Sequence, residues 1–280
     1  MNHLETFLSC SIFAFQVTLC AFLYARKAQR ILPFFTAYAI VILVNMIWLW
    51  FVYKVFGFLS VTAYFCFWIS ILVNAGMRSL AIAELCRFKL GAYRGIWGLV
   101  WRALAGLSAL FLLHAAFDTW GQPDRFAIYS LTLDRDLEIA SVAILAALLL
   151  IHNYYGLSLE PLQRTIAAGI CFIAATDAIG YTILRHLYTG FLFPIFSGNH
   201  SSLWRDLLPY SVRINDLWST VHVSCFMFTI GIWCYALRKP IPARAEAPEL
   251  LPSDVYRELS PAINMRLATF NDRLVELLKP

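Results

Sequence analysis

Seven apolar runs, each about as long as a bilayer is thick, leave this chain little choice of fold. They lie near residues 6–25, 33–53, 58–84, 97–117, 137–155, 164–187 and 216–237. A hydrocarbon core of about 30 Å takes roughly 20 helical residues to cross, so each run reads as a transmembrane helix. The second and third are separated only by Tyr53-Lys54-Val55-Phe56-Gly57, which predicts a hairpin. The fifth is the cleanest, with Ile139 to Ile151 almost wholly aliphatic.

Composition supports that reading. Residues of the AVILMFWYC set make up 60% of the chain and charged residues only 14%, whereas a soluble domain is nearer half apolar and a quarter charged. Lipid must therefore solvate much of the surface. Aromatic residues reach 16%, with 9 Trp, as expected where rings gather at membrane interfaces. The seven cysteines lie mostly inside apolar runs without CxxC spacing, and read as small buried hydrophobes, not as a disulfide framework or a metal site. The N-terminus lacks the basic n-region of a cleaved signal peptide, so the first run is expected to be retained.

Basic residues set the expected orientation. Arg26, Lys27 and Arg30 follow the first run, Arg87, Lys89 and Arg94 the third, Arg164 the fifth, and Arg238, Lys239 and Arg244 the seventh. The other side carries acids: Asp118, Asp124, Asp134, Asp136, Glu138, Asp206 and Asp216. The expected fold is an all-α integral membrane protein, a seven-transmembrane-helix bundle with its N-terminus out and C-terminus in. Residues 1–239 form the transmembrane domain, and 240–280 a cytoplasmic linker and a short amphipathic tail helix.

Two segments stand apart from the runs. The aromatic 188–215 stretch is expected to be an outer loop, with a short interfacial helix capped at Ser201 or Ser202. In the tail, Ile263, Leu267, Phe270, Leu274 and Leu277 draw one apolar stripe at helical spacing. So short a helix is marginal alone in water. Its stripe is expected to meet the protein's own loops, a second copy in a homodimer, a protein partner or the membrane surface.

Ionisable groups inside a span are costly and are usually paired or functional. Arg78 in the third run and Asp177 in the sixth are expected to form such an intramembrane pair, either as a structural bolt or as part of a proton path or ligand site. His114, His186 and His222 fall toward the outer side of the fourth, sixth and seventh runs. Two of them facing each other would be able to ligate a haem iron or hold a quinone. Each stands alone in its helix, so a packed or interfacial histidine is the simpler reading.

The last run has no lysine for a retinal Schiff base, and the receptor signatures of the third and seventh helices are missing. The basic residues sit in short clusters between apolar runs, which excludes a nucleic-acid footprint. No metal-ligand spacing and no catalytic constellation is visible, so a non-enzymatic role is expected. The leading expectation is a sensory or accessory subunit of a bacterial inner membrane, with a tail helix that engages a partner or a second copy. The alternative is a redox or proton-coupled transport protein that uses the polar groups within the spans.

Overall fold

Each apolar run coincides with an α-helix over most of its length. A computed structural model describes residues 3–57, 60–90, 94–121, 125–155, 160–187 and 201–238, with Thr269, Arg273 and Glu276 in the tail. Of these, the backbone alone is described at 3–7, 9, 89–90, 94–96, 151–155, 184–187 and 201–216. The helices are α1 (His3–Ala25), α2 (Pro33–Phe56), α3 (Val61–Leu90), α4 (Arg94–Asp118), α5 (Arg125–Tyr155), α6 (Pro161–Leu187) and α7 (Ser201–Ala236). A short 3-10 turn, Ala28–Arg30, joins α1 to α2. The described residues contain no strand. α2, α3, α4, α6 and α7 are long and apolar enough to cross a membrane, and α1 contributes a shorter apolar stretch, Cys10–Ala25. The protein is an all-α membrane bundle.

The helices close on themselves. α1 packs on α2, α2 on α3, α3 on α5, α5 on α6, α6 on α7, and α7 returns to α1. Six helices thus form a ring, and α4 lies outside it against α5 and α3. The ring is filled by Leu19, Phe35, Leu85, Leu145, Ile170 and Trp233, among others. Phe35 and Trp233 meet edge to face across it, with ring centroids 5.1 Å apart. α4 has a different character: Leu99, Leu107, Leu110, Leu113 and Phe117 are all exposed, as befits a helix solvated by lipid.

Polar groups set the register between helices. Helix α2 starts at Pro33, where the missing N–H costs nothing, but its N-cap Leu32 has no capping side chain. Glu84 of α3 supplies the cap. Its two carboxylate oxygens accept the Phe34 and Phe35 N–H groups at 3.2 and 3.0 Å, satisfying donors that a helix start leaves open. Asn45 of α2 donates to Asn74 of α3 at 2.7 Å. At the far end of α2, Gly57 takes φ +80°, a conformation that favours glycine. The Arg26 guanidinium donates to the Arg238 carbonyl at 2.6 Å, tying the end of α1 to the end of α7.

Close approach of α6 and α7 depends on two glycines. The Trp218 indole lies where a Cβ on Gly180 would stand, and the Trp233 indole does the same at Gly169. Trp233 also donates from Nε1 to the Thr165 carbonyl at 3.3 Å. Small residues that admit a neighbouring helix are the usual device of membrane interfaces.

Two helices run further than hydropathy suggests. α5 begins at Arg125 and not near 137, so Asp134, Asp136 and Glu138 lie in a helix and are buried, not on an outer loop. Their charges depress the apolar score, yet their partners lie inside the protein. α7 begins at Ser201, so residues 201–215 continue the last helix and are not a loop; 188–200 lie outside the described residues. At 1.5 Å per residue its 36 residues extend about 54 Å, well beyond the hydrocarbon thickness of about 30 Å. In the tail, Thr269, Arg273 and Glu276 are helical and exposed, while the stripe Ile263, Leu267, Phe270, Leu274 and Leu277 lies outside the described residues.

Candidate functional site: a buried ionic cluster

A helical ring that burying apolar side chains would satisfy carries instead a group of charges at one level. Arg78 projects from α3, and its side chain is 7% exposed. One Nη donates to Asp134 Oδ1 of α5 at 2.9 Å. The other makes an ion pair with Glu138, one turn further along α5, and lies 3.9 Å from Asp177 Oδ2 of α6. Spacing explains the α5 contribution, since residues four apart share a helix face. Asp177 in turn meets His222 of α7, Nδ1 to Oδ1, at 2.6 Å. The Glu138 and Asp177 carboxyl groups stand within hydrogen-bonding range of each other.

Tyrosines and an amide line the same level. The Tyr181 hydroxyl donates to Asp134, and Tyr38 of α2 is buried beside the charged groups. Gln16 of α1 is fully buried and donates to the Ala39 carbonyl, next to Tyr38, at 2.7 Å. All six ring helices therefore place a polar side chain at this level. Some of that polarity is unmatched. Gln16 Oε1, Arg78 Nε and the Glu138 oxygens lack a hydrogen-bond donor or acceptor of good geometry among the described residues.

Exposure within the cluster is uneven. Glu138 is 0% exposed and Asp134 and Asp177 5%, while the His222 side chain is 36% exposed. His222 stacks on Phe226, with centroids 6.3 Å apart and planes within 4°, and Trp218 flanks it at 6.0 Å.

The structure brings Arg78 within ion-pair distance of Asp177, but Asp134 and Glu138 are its closer partners. Asp134 and Glu138 sit just before and within the first turn of the apolar run in α5, where they resembled outer-loop acids. Their i, i+4 spacing was the one signal that they share a face. The histidines are dispersed. His222 belongs to the cluster. His114 is on α4, outside the ring, and pairs through Nδ1 with Asp136 Oδ2 at 2.6 Å; Arg135 completes that group at 2.7 Å from Asp136. His186 is on α6, and its side chain lies outside the described residues. Comparison with protein-family models, with curated proteins and with solved structures finds no match.

Proposed function

We propose that the chain is a sensory or accessory membrane protein whose responsive centre is a proton held in the buried ionic cluster. The observation that carries this reading is charge balance. Three carboxyl groups, Asp134, Glu138 and Asp177, face one guanidinium and one imidazole. Fully ionised, they leave net negative charge inside an apolar bundle, which is costly in lipid. Arg78 already occupies the position between them that a bound cation would take, so neutralisation falls to protons. Glu138 and Asp177 stand side by side, and two carboxylates at that range do not both ionise readily. One proton held between them lets the two carboxyl groups hydrogen-bond to each other.

A centre of this kind changes charge with its surroundings and biases the packing of α5, α6 and α7. In the proposed orientation, N-terminus out and C-terminus in, that change reaches the cytoplasmic tail helix at the far end of the chain. A bacterial inner membrane is the proposed setting.

Infrared difference spectroscopy of the full chain in lipid nanodiscs tests the reading. A protonated carboxyl in an apolar site gives its own C=O stretch. Wild type should show one, and Asp177→Asn and Glu138→Gln should each remove or shift it while the protein stays folded. A structural bolt predicts the contrary: no such band, and a large loss of thermal stability in either variant as a buried partner disappears.

A further inference from the structure

We infer that His222 is the port through which protons exchange with the buried cluster, from the side of the membrane at which α7 begins. This rests on the proton-centre reading above and adds a route to it. Arg78, Asp134, Glu138 and Asp177 are at most 7% exposed. A proton bound among them needs a carrier that touches both the cluster and the outside. His222 is placed for both, with Nδ1 2.6 Å from Asp177, 36% of its side chain exposed at the bundle surface, and the polar 201–216 half of α7 directly before it.

Position on the helix favours the same side. The polar stretch of α7 ends at Asp216, and His222 follows it by six residues, about 9 Å along the axis. Ser219 and Ser224, on either side of it, are exposed as well. Asp177 lies ten residues before the end of α6 at Leu187, about 15 Å along the axis. The groups that act on the imidazole come from several helices: Asp177 from α6, Arg78 from α3 and Asp134 from α5. α1, the other helix packed on α7, meets it with Cys20 beside Cys234, about three turns further along.

The transfer is balanced within the dyad. In the starting state the neutral imidazole carries its proton on Nδ1 and donates it to the Asp177 carboxylate. A proton from outside adds to Nε2, the Nδ1–H bond breaks toward Asp177 Oδ1, and the aspartic acid forms. The ring is left neutral with its proton on Nε2. Rotation of the ring restores the first tautomer for the next transfer, whereas reverse transfer returns the proton to the outside. Asp177 then shares its proton with Glu138.

The test follows the buried carboxyl band after the full-length protein in nanodiscs is mixed into D2O. His222→Asn places an amide nitrogen near the Nδ1 position and keeps a bond to Asp177, yet cannot relay a proton. His222→Ala opens the site to free imidazole. Both variants should retain the band and exchange it roughly a hundredfold more slowly, the scale a positioned proton carrier contributes. Added imidazole should restore the rate in His222→Ala and leave His222→Asn slow. Exchange at the wild-type rate in both variants overturns the port while the proton centre stands. Absence of the band from wild type overturns the proton centre and the port with it.

Discussion

At the scale of single residues, Arg78 is the side chain on which the ionic cluster depends. A guanidinium offers a planar fork of donors, and here the two Nη groups serve Asp134 and Glu138 together. A lysine ammonium is a point charge that cannot span both carboxyl groups in this way. Arg78→Ala leaves three carboxyl groups facing one another without their cation, and removal of one partner from a buried pair costs about 3–5 kcal/mol. Arg78→Lys keeps the charge and should cost clearly less. Thermal denaturation of the purified variants in detergent, read by loss of helical circular dichroism, measures both. Equal stability of Arg78→Ala and wild type would mean that the cluster contributes nothing to holding α3, α5 and α6 together.

At the scale of helices, the contact of α6 with α7 is the seam that positions Asp177 against His222. It closes because Gly180 and Gly169 leave room for two indoles. Gly180→Ala puts a methyl group where the Trp218 ring lies, and overpacking of this sort costs about 1–3 kcal/mol. The same change separates Asp177 from His222, so the variant should lose thermal stability and speed or slow carboxyl exchange in step. Trp218→Phe in the Gly180→Ala background should recover part of the lost stability, because the smaller ring frees space. If Gly180→Ala melts at the wild-type temperature, the seam is looser than its geometry implies. Helices were the most legible level in the sequence, and for a physical reason. Lipid demands long apolar runs, and runs such as Ile139 to Ile151 announce themselves. Their ends were hidden wherever a charge is buried. Asp134 and Glu138 read as water-facing acids because a single sequence does not reveal that Arg78 stands opposite. Arg78 and Asp177 stand out as charges inside apolar runs, while His222 stands out only as one of three histidines able to hold haem or quinone, because its carboxylate partner is 45 residues away. Hydropathy places the start of the last span near 216 because residues 201–215 carry Arg205, Asp206, Pro209 and Arg213.

At the scale of the whole molecule, the closed ring and the tail are separate devices. The stripe Ile263, Leu267, Phe270, Leu274 and Leu277, at helical spacing in the sequence, needs an apolar surface, and Thr269, Arg273 and Glu276 are helical and exposed. Deletion of 255–280 should leave the bundle's melting temperature unchanged, and should alter the oligomeric state or remove a co-purifying protein. Light scattering and gentle affinity purification of both forms check this, and identical behaviour in both respects sets the tail-partner proposal aside. The ring itself bears on how the protein is made. Arg78 precedes its first carboxylate partner by 56 residues. At about 5–20 residues per second, the ribosome adds that stretch in roughly 3–11 s. Throughout that interval an arginine destined for a hydrocarbon interior has no counter-ion of its own chain. The first three helices are therefore poor candidates for release into lipid one by one, and the insertion machinery must shelter α3 until α5 arrives.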